Sequence, residues 1–428
     1  MPVTMDISKE VVETILKGKT VNGVIEKLEI HPVKEKPLPP RIPKDTTWNK
    51  EDQQRRLTIL ANQDITFQFL NGKKTIDDPS IFQGNIENYI GLAQIPVGVV
   101  GPLRINGLHA NGDFYVPFAT TEGALVAAHN RGARVISLSG GARVMCLTER
   151  VSRAPGFQFN NLIEAGKFLL WFIQQYESFK KVAETTTHHG KLVDIRTTLE
   201  GNHVYLNFDY TTGDASGQNM VTIATEAICQ YILNNSPVKP LRWYIESNMS
   251  GDKKATVMSY LFVRGKKVTA EVVIPKKLCA RMLHANPEDM MEYAKMSVVG
   301  ALQTGAIGAQ GHYANGLTAI FIACGQDVAC VSEASVGITR VDVTKNGDLY
   351  MSVSLPNLIV GTVGGGTRFP TQQECLKMIG CCGQGTARKF AEICTSLVLA
   401  GEMSIMAALA AGEFTQAHEK YARKKQNN

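Results

Sequence analysis

The chain has 428 residues, 44% of them hydrophobic and 20% charged, an ordinary globular composition with enough apolar residues for about two or three domains. The net charge of +6 is small for this length and is not gathered in one basic block apart from the terminal YARKKQNN, so duplex nucleic acid is not an expected partner. The nine cysteines include no Cys-x-x-Cys pair, which is typical of small core residues rather than of a zinc or disulfide framework and indicates a reducing, cytoplasmic compartment.

The first 60 residues combine a short amphipathic helix with an extended linker. We predict the helix around residues 11–16, and the prolines of HPVKEKPLPPRIPKD forbid helix after it. The amino terminus lacks the basic-then-apolar order of a signal peptide, so we do not expect secretion. Residues 1–60 should pack on the body as an arm without a core of their own.

The stretch PFATTEGALVAAHNRGAR places a carboxylate, Glu122, between a strand-like segment and a segment of helical period. Arg131 and Arg134 are three positions apart on that helix, so their guanidinium groups can fork one phosphate. The stretch therefore has an acid where a ligand can approach the backbone closely, and an anion site about two turns further along the helix. We predict a phosphorylated ligand that reaches this proton donor.

Residues 154–246 alternate between strand and helix periods in the order βαββαβ. The strands are GFQFN, KLVDIRTTL, HVYLNFDY and LRWYIES, and the helices are predicted over residues 162–184 and from about residue 218. This order is that of a ferredoxin-like domain. We therefore predict the α+β class, with a small ferredoxin-like domain at 154–246 inserted into a large helix-rich α/β domain of residues 61–153 and 247–428.

Local signals also place turns and long helices in the large domain. We predict a turn at Asn111 and Gly112, a hairpin around VRGKK, and long helices at about 287–307 and 385–420. The apolar run ICTSLVLAGEMSIMAALAAGEF is long enough to cross a membrane, but its Glu402 and its many Ala and Gly residues favour buried helices.

Two glycine-rich segments could let the backbone approach a ligand closely. TTGDASGQNM follows the strand that ends at Tyr210 and precedes a helix, which suits a pyrophosphate at the helix N-terminus. It matches neither the Gly-x-Gly-x-x-Gly nor the Walker pattern, and a plain turn with a helix cap from Asp214 is an equal alternative. GTVGGGT is too dense in glycine for a strand interior and indicates a loop against a ligand or another chain, with a flexible surface loop as its alternative.

Charged residues of the second half of the chain suggest chemistry. ESNMSGDKKAT brings Asp252, Lys253 and Lys254 together; consecutive lysines usually form a solvated surface, but a lysine held beside an aspartate at a domain junction can stabilise a developing oxyanion. Asp327 in IFIACGQDVAC ends an apolar run, where an unpaired carboxylate is unfavourable, and Lys253 is its predicted partner. His418 stands alone near the carboxyl end, where a histidine is usually on the surface.

Seven segments and a late histidine occur in one order along the chain: ENYIGLAQIPVGVVGPL, TTEG, NRGAR, GDASGQNM, GDKK, GQD and GTVGGGT. From about residue 85 to 418 this set resembles the catalytic portion of 3-hydroxy-3-methylglutaryl-coenzyme A (HMG-CoA) reductases, and the biosynthetic class most closely. The membrane anchor of animal members has no counterpart here, so the resemblance implies a soluble enzyme without membrane contact. It implies reduction of HMG-CoA to mevalonate and coenzyme A by two hydride transfers from a nicotinamide cofactor.

The resemblance implies four catalytic residues. Glu122 would be the proton donor, Lys253 the cation for the oxyanion, Asp327 the carboxylate that tunes both, and His418 the acid that protonates the departing thiolate. Glu122 must be protonated at neutral pH for this role, and we expect burial and the like charge of Asp327 to keep it so. Histidine suits the protonation of a thiolate near neutral pH.

The resemblance also implies binding residues and no metal. Those for the acyl group and its far carboxylate are Arg153, Asp252, Lys254, Lys295, His312 and Asn315. Those for coenzyme A are Asn130, Arg131 and Arg134. Those for the dinucleotide are Asp214, Gly217, Gln218, Asn219, Gly364, Gly365, Gly366 and Thr367.

NADPH is the expected cofactor, with NADH as the alternative. Animal members that use NADPH have a Ser-Arg pair that can grip its 2′-phosphate, whereas this chain has Thr187, His188 and His189 there, and a neutral histidine such as His188 is a weaker clamp. In the family the site lies between two chains, with ENYIG at that interface. A homodimer or a higher homo-oligomer is therefore implied.

Two other functions are alternatives to HMG-CoA reduction. The catabolic direction would oxidise mevalonate with coenzyme A and NAD through the same four catalytic residues. A ferredoxin-like nucleotide- or RNA-binding protein would need aromatic residues on one exposed face of the sheet. Tyr205 and Phe208 point to opposite faces, which disfavours the binding protein.

Overall fold

The computed structural model describes residues 5–43, 48–61, 65–187 and 189–415. Over these residues, helices pack on a connected and mainly antiparallel sheet, which confirms the α+β class. The strands are β1 (Val97–Gly107), β2 (Asn111–Ala119), β3 (Ala142–Arg153), β4 (Gly156–Gln158), β5 (Lys191–Glu200), β6 (His203–Thr211), β7 (Arg242–Tyr244), β8 (Gly265–Ile274), β9 (Ile338–Val343) and β10 (Leu349–Leu358). The helices are α1 (Met5–Leu16), α2 (Val21–Leu28), α3 (Lys50–Ala61), α4 (Leu125–Leu138), α5 (Leu162–Ile173), α6 (Tyr176–Glu184), α7 (Gln218–Asn235), α8 (Met258–Leu261), α9 (Lys276–Leu283), α10 (Pro287–Gln303), α11 (Tyr313–Ala323), α12 (Val331–Ala334), α13 (Pro370–Met378) and α14 (Ala387–Ala410).

One long strand, β3, joins the two halves of the sheet. The spatial order is β7-β4-β6-β3-β8-β10-β9, with β1 and β2 attached beside β3 and with β5 beside β6. The first part of β3 pairs with β8, and its last residues, 151–153, pair with residues 208–210 of β6. Arg153 therefore lies where the two halves of the sheet meet.

Residues 154–246 contain the predicted order of strands and helices. The four strands pair antiparallel in the spatial order β7-β4-β6-β5. The helix predicted over 162–184 is instead two helices, α5 and α6, separated at residues 174–175. The break brings α6 against β5, where the Tyr176 hydroxyl donates a hydrogen bond to the Val193 carbonyl at 2.9 Å.

The central helix of the larger part is α14. Among the described helices it has the length and apolar composition of a membrane span, but 83% of its apolar window is buried inside the protein, as the sequence indicated. It ends at Ala410 rather than near residue 420, and the chain after residue 415 lies outside the described residues. Helix α4 packs across α14 at Gly132, where an added Cβ would lie 1.9 Å from the Ala400 carbonyl oxygen.

The turn predicted between the first two strands is misplaced. Asn111 and Gly112 are the first residues of β2 and pair with β1, so the chain reverses before them. There the backbone N–H groups of His109 and Ala110 donate to the buried Glu392 carboxylate at 2.8 and 2.6 Å. A side chain from α14 thus stabilises a reversal that local patterns assign to Asn and Gly.

The segment VRGKK does not form the predicted hairpin. Gly265 begins β8, whose antiparallel partners are β3 and β10, both far away in sequence. Gly265 has a φ of 102°, and a Cβ there would lie 2.6 Å from the Leu358 backbone. The glycine is therefore needed because it lets β8 start in close contact with β10.

Arg104 in β1 holds the extended linker on the body of the protein. Its side chain is 1% exposed, and its guanidinium donates to the carbonyl oxygens of His31, Lys36 and Pro37 at 2.9, 2.7 and 3.1 Å. The same guanidinium forms a bidentate pair with Asp113 at 2.8 and 2.9 Å. This buried cation fixes a linker that forms no helix over residues 31–43.

The substitution Gly132→Ala should destabilise the protein by about 1–3 kcal/mol or more, because the new Cβ would collide with the α14 backbone. The matched control is Gly166→Ala in α5, where an added Cβ meets no atom within 4 Å. That control should raise stability by about 0.5–1 kcal/mol, since alanine favours helix. Urea unfolding of both variants checks this, and equal midpoints would contradict the packing argument.

Candidate active site

Lys253 and Asp327 form the ion pair that the sequence predicts. The Lys253 Nζ lies 2.9 Å from Asp327 Oδ2, and the two side chains are 43% and 42% exposed. Asp327 follows α11, and its other oxygen accepts the Ala329 N–H at 3.1 Å. The hydrogen bond and the negative charge of Asp327 raise the pKa of Lys253 above its ordinary value. Lys253 is therefore a fixed ammonium at neutral pH.

Glu122 lies at the end of β2 and contacts another predicted site residue. Asn315 donates its side-chain amide to Glu122 Oε2 at 2.8 Å, and the Glu122 N–H donates to Thr120 Oγ1 at 3.0 Å. Both Glu122 and Asn315 line a cavity of about 340 Å³ whose other walls come from the loop before β1, from the end of β2 and the residues after it, from the start of α4, and from α11 along most of its length. The other lining residues are Ile95, Ala119, Thr120, Thr121, Leu125, Ala314, Thr318, Ala319 and Ile322.

Within one chain Glu122 does not contact the Lys253–Asp327 pair. Among the described residues, no hydrogen bond or ion pair joins Glu122 to either of them. Asn315, which holds Glu122, is near the start of α11, and Asp327 follows its end; the 11 residues of this helix span about 16 Å. Glu122 is also exposed. In the single chain, therefore, Glu122 is neither buried nor beside Asp327, contrary to the expectation from the sequence.

Three loops meet beside the Lys253–Asp327 pair. The two glycine-rich segments contact each other, because the N–H groups of Thr362 and Val363 donate to the Asp214 carbonyl at 2.8 and 3.3 Å. The Asp327 loop joins them through Gln326, whose side-chain oxygen accepts the Gly361 N–H at 2.9 Å. The loop GTVGGGT therefore lies next to the candidate catalytic residues.

The first turn of α7 is open to a ligand. Its N-cap is Gly217, which has a φ of 80° and whose added Cβ would lie 2.2 Å from Thr212. Within the described chain no side chain caps this end. The Asp214 carboxylate instead accepts the N–H groups of Gly385 and Ala387 at 2.7 and 3.0 Å, at the start of α14. The alternative of a cap from Asp214 is therefore wrong for α7, and the open N–H groups suit an anion.

The other predicted dinucleotide residues surround this turn in different ways. Asn219 is exposed, whereas Gln218 points inward and donates to Cys330 Sγ at 2.9 Å. The backbone at Gly364 and Gly365 is exposed, and Gly366 packs against the Asp327 loop, while Thr367 is buried and donates to the Gly364 carbonyl at 2.6 Å.

The turn between α6 and β5, which contains Thr187 and His189, lies against α7. Thr187 Oγ1 contacts Met220 Sδ at 3.1 Å and accepts the N–H groups of His189 and Gly190 at 3.2 Å. Met220 is in the first turn of α7, so this turn borders the predicted dinucleotide site. His188 and His418 lie outside the described residues.

The predicted acyl-binding residues fall into separate groups. Arg153 pairs with Asp252 at 3.2 Å, and the Lys254 ammonium donates to the Asp252 carbonyl at 3.0 Å, so these three are together beside Lys253. His312 instead lies at the start of α11, near Asn315. Lys295 is on α10 and pairs with Glu292 at 2.6 Å; among the described residues no hydrogen bond or ion pair joins it to either group.

His312 is held by buried groups. Its ring stacks on that of His129 with the centroids 5.4 Å apart, and its Nδ1 lies 3.4 Å from Glu402 Oε1. Glu402 is fully buried in α14 and also accepts the His312 backbone N–H at 2.7 Å. The position of His312 is therefore set by the protein interior.

The residues predicted to hold coenzyme A do not form one phosphate fork. Asn130 bonds the β1 backbone, accepting the Gly101 N–H at 2.8 Å and donating to the Val99 carbonyl at 3.1 Å. Arg131 donates to the Ser404 hydroxyl and carbonyl at 3.0 and 2.5 Å.

Arg134 differs from its neighbours on α4. Its Nε is buried and has no acceptor among the residues that the structure describes. Burial, together with the nearby charge of Arg41, lowers the pKa of Arg134. Of the three residues, Arg134 retains the donors that an anion needs.

Comparison with known proteins identifies the family. The family model described as hydroxymethylglutaryl-coenzyme A reductase matches residues 52–423. HMG-CoA reductases of Methanocaldococcus jannaschii and Pyrococcus abyssi are each 44% identical to the chain, over 82% and 86% of it and over 87% and 92% of their own lengths. The chain belongs to the hydroxymethylglutaryl-coenzyme A reductase family.

A solved structure of the same family has the same fold. It is a class II HMG-CoA reductase of Streptococcus pneumoniae bound to NADPH in open conformations. It superimposes with a TM-score of 0.68 at 19% identity, covering 85% of this chain and 99% of its own. The fold of this HMG-CoA reductase is therefore retained where the sequences have diverged widely.

Two residues of this HMG-CoA reductase were missed by sequence reasoning. Arg264 and Glu333 are 3% and 1% exposed and pair at 2.5 Å, directly behind Asp252 and Lys253. The signal in the sequence is an arginine preceded by the apolar residues LFV, and buried arginines require a carboxylate partner. Which carboxylate supplies the charge could not be read from spacing.

The substitution Asp327→Asn should lower the pKa of the Lys253 ammonium, since it removes both the charge and the carboxylate acceptor. A raised pKa keeps a lysine charged until the pH rises through the raised value, so the variant should lose its charge at lower pH. Titration of isotope-labelled, methylated lysines by NMR measures this. Glu292→Gln, which removes the partner of Lys295, is the control and should leave Lys253 unchanged. An unchanged Lys253 titration in Asp327→Asn would contradict the assignment.

Proposed function

We propose that Lys253, paired with Asp327, stabilises the oxyanion while this family member reduces HMG-CoA to mevalonate and coenzyme A. The observation that supports this most strongly is the 2.9 Å ion pair at the meeting point of three loops. A thioester carbonyl gains negative charge as hydride arrives. A fixed ammonium beside it therefore stabilises the transition state more than the ground state.

The remaining steps require proton transfers. Two reduced nicotinamide cofactors, bound in succession, would supply one hydride each, the first to the thioester carbonyl and the second to the aldehyde that forms when the carbon–sulfur bond breaks. We propose that His418 protonates the departing thiolate and that Glu122 donates the proton to the alcohol oxygen. Asn315, bonded to Glu122 at 2.8 Å, would orient that carboxyl.

Residues 154–246 form the proposed dinucleotide-binding domain, with a ferredoxin-like fold. The strand order β7-β4-β6-β5 and the open first turn of α7 support this, because an uncapped helix N-terminus binds a pyrophosphate. NADPH is the proposed cofactor, since the streptococcal relative of like fold was solved with it. His188 would contact the 2′-phosphate, and NADH is the alternative that this weaker clamp leaves open.

The proposed active site is shared by two chains. Exposed apolar residues of the segment before β1 support this: Ile86, Ile90 and Leu92 are 51%, 101% and 56% exposed. Ile95 of the same segment lines the Glu122 cavity. A second chain that covers this segment could bring its own Lys253 to Glu122.

The acyl and coenzyme A sites follow from the same arrangement. Arg153 and Lys254 would bind the far carboxylate of the acyl group beside Lys253, with Asp252 holding both cations in place. Lys295 and His312 would approach only in the assembled dimer. Arg134 would bind a coenzyme A phosphate. The cysteines that the structure describes are all free and all but one are buried, which supports the proposed cytoplasmic location.

The substitution Lys253→Ala should lower kcat with HMG-CoA by at least about 100-fold, because it removes the oxyanion's cation. The change is measured as HMG-CoA-dependent oxidation of NADPH and of NADH, and as mevalonate- and coenzyme A-dependent reduction of NAD. Lys277→Ala, at an exposed lysine of α9, is the control and should be active. Near-normal turnover of Lys253→Ala would refute the mechanism. Faster oxidation of NADH than of NADPH by the wild-type protein would refute NADPH as the preferred cofactor.

A shared site predicts complementation between two inactive variants. When Lys253→Ala and Glu122→Gln chains are unfolded and refolded together, the mixed dimers should regain one intact site each. Activity should return to about one quarter of wild type, because half of randomly paired dimers are mixed. No recovery in a mixture shown to contain mixed dimers would mean that Glu122 and Lys253 of one site come from one chain.

A further inference from the structure

A buried pair of opposite charges lies directly behind the proposed oxyanion site. Arg264 precedes β8 and Glu333 is in α12; they are 3% and 1% exposed. The Arg264 Nη1 lies 2.5 and 2.6 Å from the two Glu333 oxygens. Its Nη2 lies 2.9 Å from Asp252 Oδ1. Arg264 and Glu333 do not line the Glu122 cavity, and the proposed chemistry uses neither of them.

Glu333 also contacts the backbone of the proposed catalytic lysine. Its Oε1 accepts the Lys253 N–H at 3.1 Å. Lys253 has a φ of 56°, a left-handed conformation that residues with a side chain adopt only when their surroundings hold them there. The same conformation turns the Lys253 side chain toward Asp327. A carboxylate that holds this N–H is therefore placed to decide where the ammonium lies.

Arg264 extends this contact to the other half of the site. Its Nη2 donates to the side-chain oxygen of Gln218 at 3.1 Å, and Gln218 is the first residue of α7. The backbone N–H of Arg264 donates to Asn357 Oδ1 at 3.0 Å, which anchors Arg264 to β10. One guanidinium thus connects the Lys253 loop, α12 and the helix end where the dinucleotide is proposed to bind.

We propose that Glu333 is a positioning residue that fixes the backbone of Lys253, and that Arg264 holds Glu333 and Gln218 so that the two halves of the site keep one geometry. This inference rests on the proposed role of Lys253. Stability alone is a weak reason for the Arg264–Glu333 pair, because buried ion pairs add little to stability compared with apolar residues of similar size. A purely structural role would affect stability alone, so neutral variants of Glu333 that are equally stable would have the same kcat.

Two substitutions separate these roles. Glu333→Gln and Glu333→Leu both remove the charge that pairs with Arg264, but only glutamine keeps an oxygen that can accept the Lys253 N–H. We expect similar melting temperatures for the two variants. We expect kcat of Glu333→Leu to be about 10- to 100-fold below that of Glu333→Gln, because displaced catalytic groups are costly. The KM for NADPH should change by less than about threefold, since no binding contact is lost.

Hydrogen exchange of the peptide that contains Lys253 tests the position without activity. Exchange should be faster in Glu333→Leu than in Glu333→Gln, where the N–H is still bonded. Equal kcat values or equal exchange in the two variants would overturn the inference. Wild-type protein without HMG-CoA-dependent NADPH oxidation would refute the proposed function instead, and the exchange comparison would still decide the positioning.

A second pair of variants covers the case in which an unpaired Arg264 prevents folding. Arg264→Met removes that charge, and it is combined with either Glu333→Leu or Glu333→Gln. Replacing both partners of a buried ion pair is better tolerated than replacing one. The same difference in kcat and exchange is expected between the two double variants, and its absence would overturn the inference.

Discussion

The 2.9 Å ion pair between the Lys253 ammonium and the Asp327 carboxylate is the interaction on which the candidate site depends. Both side chains are about two-fifths exposed, so solvent screens the pair and it adds little to the stability of the fold. Its importance is positional. Asp327 is held by the Ala329 N–H after the apolar helix α11, and Lys253 is held through its backbone by Glu333. Two loops are thereby brought to one geometry, and the buried Glu333 holds one of them.

Helix α14 organises the rest of the site from the core. It is buried along almost its whole length, and it carries Glu392 and Glu402 into the apolar interior. Burial alone would raise the pKa of Glu402, but hydrogen bonds from His312 and from the N–H groups of Gly311 and His312 outweigh it and lower that pKa. The carboxylate therefore fixes the start of α11. Because α11 carries Asn315 near one end and leads to Asp327 at the other, this single helix separates Glu122 from the ion pair.

This separation is consistent with an active site that one chain does not complete. The Glu122 cavity is lined by apolar and uncharged polar residues around one hydrogen-bonded carboxylate, whereas the Lys253 loop has the other charges and the open end of α7. The two parts carry different halves of the proposed chemistry, the proton donor in one and the cation with the dinucleotide site in the other. The exposed apolar segment that contains Ile90 borders the first part, where a second chain would have to contact it.

The sequence by itself determined the family, the α+β class, the order of elements over residues 154–246 and the partner of Asp327. These are carried by local periodicity, by ordered motifs, and by a charge in an apolar run that needs an opposite charge nearby. Only the tertiary structure decided that Asp214 caps α14, that Asn130 and Arg131 bond the protein itself, and that Arg264 stands between Glu333 and Gln218. The physical reason is that each of these polar groups must find a partner once it is buried, and the fold brings together donors and acceptors from segments far apart in the chain.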